Sequence, residues 1–155
     1  MASLEVKNLE QRLKSVKARD LMSRFAITIK ENETVMNLAH LMMRFKISGV
    51  PVVDKNGEIY GIVTATDLFN LMKGIVGNMK DKTNLDNYLD MKISELMTKD
   101  VVTITEETTL FEIMKLMCEH DIHTLPVMAV SKREIVGVIG RRDIINAFYV
   151  GVKLV

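Results

Sequence analysis

The chain has 155 residues, enough for one medium domain or two small ones with a buried core. Lys and Arg number 21 against 20 Asp and Glu, a net charge of +1, so no broad positive field is present to collect nucleic-acid phosphates or anionic lipid. A composition 48% hydrophobic and 26% charged excludes a disordered chain, and the apolar runs fall short of the roughly 18 residues that a spanning helix needs.

Residues 1–16 place Leu4, Leu9, Leu13 and Val16 on one helical face, a predicted N-terminal helical segment that packs on the rest of the chain or on another chain. Residues 17–73 then read as a β-α-β-β-α unit. The strand AITI leads to Thr34, a predicted N-cap, and to a helix whose apolar stripe is Val35, Leu38, Leu41, Met42 and Phe45. Two strands follow, ISGVPVV and EIYGIVT, joined by DKNG, whose Asn56-Gly57 pair suits the positive φ of a tight hairpin. A second helix is predicted to begin at Asp67. Residues 74–91, rich in Gly, Asn, Asp and Lys, read as a linker.

Residues 92–148 repeat the same order: VVTI, the cap Thr109 with Glu112 at capping-box spacing, a stripe of Leu110, Ile113, Leu116 and Met117, two strands joined through SKR, and a helix predicted from Asp143. Residues 149–155 are left as a C-terminal tail. Shifted by 75, residues 17–53 match residues 92–128 at 12 of 37 positions: Lys17, Leu21, Met22, Thr28, Ile29, Glu31, Thr34, Leu41, Met42, Ile47, Pro51 and Val52. At a shift of 76, Glu58, Ile59, Gly61, Asp67 and Asn70 recur as Glu134, Ile135, Gly137, Asp143 and Asn146. The chain is a tandem duplication, and one copy alone is too small to bury a comfortable core.

Cys118 is the single cysteine, so no intrachain disulfide forms; without a signal-peptide pattern at the start, a reducing, cytoplasmic setting is expected. Cys118, His120 and His123 have the chemistry of zinc ligands but lack a fourth partner at suitable spacing, and no metal site is expected. Nor does a nucleophile with an oriented base emerge; no catalytic residue is assigned. Among the 12 methionines, Met36, Met42, Met43, Met114 and Met117 fall on the stripe helices, where core filling is the default and a self-association face the sharper reading.

The succession of LMS or LMT, the stripe helix, GVPVVD or TLPVMA, and GIVTATDL or GVIGRRDI resembles a tandem pair of CBS domains, the Bateman module, over residues 17–148. The resemblance implies an α/β (α+β) fold of two β-α-β-β-α repeats packed as a pseudo-two-fold pair through their sheets. It also implies a regulatory module, not an enzyme, that binds adenosine-containing ligands in the cleft between the repeats. Asp67 and Asp143 would bind ribose, since one carboxylate can accept from both hydroxyls of a cis-diol, and Thr64 adds a hydroxyl where the second copy has Gly140. Adenine would sit against Ile27, Thr28, Ser48, Gly49, Val50 and Pro51. In the other repeat it would meet Val102, Thr103, His123, Thr124, Leu125 and Pro126. Thr66, His123, Arg141 and Arg142 are the phosphate candidates. In such modules the Asp of one repeat faces the strands of the other, which would group Asp67 and Thr64 with Thr103 and His123, and Asp143 with Thr28, Ser48 and Gly49.

The expected function is therefore sensing of AMP, ADP, ATP or S-adenosylmethionine by a conformational shift, as a homodimer, with no cofactor, membrane or nucleic acid as principal partner. Two alternatives stand beside it: an interaction module without a small-molecule ligand, and a regulatory subunit of a separate enzyme or transporter. An Asp in the first turn of a helix also has a plain structural reading, as a cap worth about 1 kcal/mol.

Overall fold

A computed structural model describes residues 4–79, 85–130 and 133–153. The first elements are α1 (Leu4–Ser15), α2 (Ala18–Leu21), β1 (Ile29–Lys30), α3 (Val35–Phe45), β2 (Gly49–Val53), β3 (Ile59–Thr64) and α4 (Ala65–Gly77). They are followed by α5 (Leu85–Leu89), α6 (Ile93–Leu96), β4 (Ile104–Thr105), α7 (Leu110–His120), β5 (Thr124–Met128), β6 (Ile135–Gly140) and α8 (Arg141–Lys153). The chain forms two compact units. One is continuous, Ile27–Val101; the other is discontinuous, joining the stretch up to Ala26 with the stretch from Val102 onward.

In the continuous unit, Thr34 caps α3 by accepting from the Asn37 N–H at 3.3 Å, and the helix buries Val35, Leu38 and Met42. It stops at Lys46, which takes a left-handed conformation with φ of 54°. Phe45, predicted on the buried stripe, is exposed: it lies in the last turn, with the Arg44 guanidinium 5.4 Å from its ring centroid. The sheet order is β1-β2-β3, with β1 parallel and β3 antiparallel to β2. The central strand β2 is buried along its length, which is why VPVV reads as an unbroken apolar run. β1 is shorter than the predicted AITI and pairs only at Val52 and Val53. Pro51 supplies no N–H to a ladder, and pairing begins at the next residue. The β2–β3 turn also differs from expectation. Only Gly57 has positive φ, 79°; Asn56 does not need it, because the Asp54 carboxylate accepts from the Asn56 and Glu58 N–H groups at 2.8 and 3.0 Å and organises the turn.

The discontinuous unit repeats this plan. Thr109 and Glu112 form the predicted capping box, each side chain accepting from the other's backbone N–H at 3.3 and 2.9 Å. The sheet is β4-β5-β6, with β4 pairing only at Val127 and Met128, again one residue past the proline. The turn between β5 and β6 includes residues 131–132, which lie outside the described residues. The predicted N-terminal helix is α1; it packs against α7 and α8, and the Arg12 guanidinium donates to the Ala147 carbonyl. Residues 74–77 of the expected linker complete α4, residues 85–89 form α5, and residues 149–153 of the expected tail continue α8.

The two repeats in sequence are not the two units in space. Residues 17–23, which open the first repeat, belong to the sheet and core of the second. Ala18 donates to the Thr108 carbonyl at 2.8 Å, Leu110 to that of Val16 at 2.8 Å, and Ser23 and Val138 exchange N–H···O bonds at 3.1 and 3.2 Å. Residues 91–98 do the same in the first: Val35 donates to the Met91 carbonyl at 3.0 Å, Ile93 to that of Glu33 at 2.9 Å, and Ile62 and Thr98 exchange two bonds of 2.9 Å. Ala18 and Ile93, at corresponding positions, are fully buried in their respective cores. Each crossing depends on a glycine. A Cβ on Gly61 would lie 2.6 Å from the Met97 sulfur and 2.9 Å from the Thr98 carbonyl oxygen; on Gly137 it would lie 2.7 Å from the Met22 sulfur and 2.7 Å from the Ser23 oxygen. Lys17 and Arg19 clasp Glu107 from this same segment. The Lys17 hydrogen bond, with the Arg19 charge, holds the Glu107 carboxyl below its ordinary range, so the clasp exists at neutral pH and is lost as acid protonates Glu107.

Candidate functional site

The clearest expected site residues lie where the last strand of each repeat passes into a helix. Both helices start two residues earlier than predicted, at Ala65 and Arg141, because Thr64 and Gly140 are the residues that leave the strand. Asp67 and Asp143 consequently stand at the third helical position. In the continuous unit the Asp67 Oδ2 accepts from the Thr64 N–H at 2.8 Å and from the Thr64 hydroxyl at 3.0 Å, and that hydroxyl accepts from the Asp67 N–H at 3.3 Å. The Thr64 proton expected to face a ribose is therefore already committed to Asp67. In the discontinuous unit the Asp143 Oδ2 accepts from the Gly140 N–H at 2.8 Å. A Cβ on Gly140 would meet nothing closer than 3.9 Å, so the missing threonine is a sequence difference and not a steric exclusion.

In both places one carboxylate oxygen is held by the backbone while Oδ1 has no partner among the described residues. A fixed, half-exposed carboxylate with a free oxygen beside a helix N-terminus can accept from hydroxyl donors. Ser48 and Gly49 lie close by: the Ala65 N–H donates to the Ser48 carbonyl at 2.8 Å, and Gly49 pairs with Thr64. Thr124 is likewise paired with Gly140. Val50, Pro51, Leu125 and Pro126 have fully buried side chains, so these expected adenine contacts have only backbone to offer, whereas Ser48, Thr103 and His123 are exposed. Ile27, Thr28 and Val102 are half-buried ahead of β1 and β4. Thr66, Arg141 and Arg142 are exposed in the first turns of α4 and α8, and the His123 Nε2 lies 3.9 Å from an Asp121 carboxylate oxygen.

Cys118 is exposed, and among the described residues no three His, Cys, Asp or Glu side chains are grouped as metal ligands. Nor, among them, is any helix long and apolar enough to cross a membrane. Met42 is buried and Met117 packs against the core, while Met36 and Met43 are exposed on α3.

Known proteins share this arrangement. The chain is 32% identical over 130 residues to the inosine-5′-monophosphate dehydrogenase of Methanocaldococcus jannaschii, a match covering 84% of this chain and 23% of that one. It spans only 21% to 25% of the length of the first curated relatives it matches. Among solved structures, the CBS domain pair of protein MJ0100, in complex with 5′-methylthioadenosine and S-adenosyl-L-methionine, superposes with a TM-score of 0.70 at 25% identity, covering 86% of this chain and 96% of that one. Protein MJ1225 of Methanocaldococcus jannaschii, proposed as an archaeal homologue of g-AMPK, gives 0.77 at 28% identity, covering 92% and 51%. The family profile of the CBS domain matches twice, at residues 18–74 and 93–150. With the duplication, the two three-stranded sheets and these two matches in agreement, the chain belongs to the CBS domain family.

Proposed function

We propose that the protein is a regulatory module that binds an adenosine-containing ligand and signals by shifting its conformational population toward the ligand-bound state. The observation that carries this reading is the pair of aspartates, each with Oδ2 pinned by a backbone N–H and Oδ1 free to accept from a ribose hydroxyl. The likeness to a CBS pair solved with 5′-methylthioadenosine and S-adenosyl-L-methionine supports the ligand class. Isothermal titration of ligand-stripped protein with AMP, ADP, ATP, S-adenosylmethionine and 5′-methylthioadenosine is expected to give saturable binding for at least one. Asp67→Asn or Asp143→Asn keeps a capping oxygen but replaces the accepting oxygen by a donor; whichever Asp holds the ribose, its variant binds at least about tenfold more weakly, as loss of a hydrogen bond to a charged group of about 1.5–3 kcal/mol dictates. Flat traces for all five ligands overturn the reading.

One observation favours the competing reading of an interaction module without a ligand: both aspartates already serve as helix caps. Under that reading the two Asn variants melt like the parent and no ligand binds. The receiver of the signal is an enzyme or transporter, a reading supported by relatives in which the matched region is a minor part of a longer enzyme chain.

The module acts as a homodimer. Phe69, Met72, Val76 and Met79 form an exposed apolar stripe along α4 and the residues that follow it, and α8 exposes Ile145 and Phe148 at the places matching Phe69 and Met72. Large apolar side chains at helical spacing on a surface favour self-association. Phe69→Asp with Met72→Asp is expected to halve the mass measured by light scattering; an unchanged mass places the contact elsewhere.

A further inference from the structure

A groove of about 400 Å³ lies in the continuous unit along β1, the edge strand of its sheet, beside α3. Its floor is apolar: Ile29, Leu41 and Val53. Its rim carries Lys30, Glu33, Asn37 and His40. The size and the mix of an apolar surface with a few converging polar groups are those of small-molecule sites.

Comparison of the two repeats singles out the rim. At a shift of 75, the floor stays apolar as Ile104, Leu116 and Met128, but Lys30, Glu33, Asn37 and His40 are replaced by Thr105, Thr108, Glu112 and Lys115. The polar set therefore belongs to this copy alone. The Asn37 amide donates to the Glu33 carboxylate and orients it, while the Lys30 ammonium and the His40 ring make no hydrogen bond or ion pair with any described residue. A groove with one fixed anion and one free cation beside an apolar floor matches a ligand that carries both charges and an apolar body. A simple carboxylate leaves Glu33 unmatched, and a polyphosphate is repelled by it.

We propose that this groove binds a free α-amino acid with an apolar side chain, its carboxylate on Lys30 with His40 as a further donor, its ammonium on Glu33, and its side chain on Ile29, Leu41 and Val53. The site shares Thr28 with the residues that resemblance assigns to adenine, but it uses neither Asp67 nor Asp143.

The test is titration of the full chain with L-leucine, L-methionine and L-phenylalanine, followed by calorimetry and by backbone amide shifts. At least one is expected to bind saturably, shifting amides of β1 and α3. For L-leucine, 4-methylpentanoate and isoamylamine, each lacking one charged group, are expected to bind at least tenfold more weakly. Lys30→Gln and Glu33→Gln lie at exposed and half-exposed positions and are each expected to weaken binding at least tenfold, while Asp67→Asn with Asp143→Asn leaves it unchanged. Absence of saturable binding for all three amino acids overturns the proposal, as does equal binding of the two analogues or equal binding by the Gln variants. Loss of amino-acid binding in the double Asn variant, with the Gln variants unaffected, assigns the amino acid to the aspartate sites and overturns it equally.

Discussion

Replacing Gly137 by alanine is expected to destabilise the discontinuous unit by about 3 kcal/mol, and the same change at Gly61 to destabilise the continuous unit to a similar degree. The added carbon would sit 2.7 Å from the Ser23 oxygen or 2.9 Å from the Thr98 oxygen, well inside van der Waals contact with backbone atoms. The chain must then either bend the strand or release the crossing segment. Release costs the two exchanged N–H···O bonds and the burial of Met22, or of Met97 and Ile93. Calorimetric melting reads the loss, and hydrogen exchange at Ser23 and Val138, or at Ile62 and Thr98, reports where it falls. Gly77→Ala is the internal control: nothing lies within 4 Å of its Cβ, and at the last position of α4 it is expected to change stability by less than about 0.5 kcal/mol. Shortening Met22 to Ala relieves only the sulfur contact, so it rescues Gly137→Ala in part. A Gly137→Ala protein with parental melting and exchange would show that the segment is not held against the strand.

Ile93→Ala is expected to cost about 3 kcal/mol. Ile93 is fully buried and sits among Leu38, Val52 and Val63 in the core of the continuous unit, so truncation removes three methyl-sized groups and leaves a cavity that a strand on one side and a helix on the other cannot close. The drop corresponds to a melting temperature lower by about 6–12 °C for a chain of this size. The repeat supplies the reverse experiment: the corresponding residue is Ala18, also fully buried, and Ala18→Ile is expected to cost about 1–3 kcal/mol by overpacking. The two cores thus differ in size at one equivalent position. If Ile93→Ala melts within 2 °C of the parent, α6 is not part of that core.

Much of this was legible in the residues because it is local. Thr109 and Glu112 announce their helix by chemistry that acts over three residues, and the stripes of α3 and α7 announce their buried faces by period. Phe45 broke its pattern because periodicity knows nothing of the left-handed residue that ends the helix after it. The shortness of β1 and β4 follows from prolines on a neighbouring strand, a tertiary fact. The pairing of Met22 with Gly137 and of Met97 with Gly61 was hidden most completely. All four positions recur between the copies, yet an offset shows which residues correspond and not which ones touch. At the aspartates, sequence supplied the residue types and the structure showed the division of labour between the two oxygens. The groove rim was visible only as scattered differences between the copies, until β1 and α3 brought Lys30, Glu33, Asn37 and His40 together.

The crossing segments also set an order of assembly during synthesis. Every residue of the continuous unit has left the ribosome once Val101 and the exit-tunnel length behind it are made, so its core can close while the rest of the chain is still being translated. The discontinuous unit cannot. Residues 17–23 must wait for β6 before Ser23 meets Val138, a contact spanning 138 − 23 = 115 residues, and closing so long a loop late makes this unit the slower of the two.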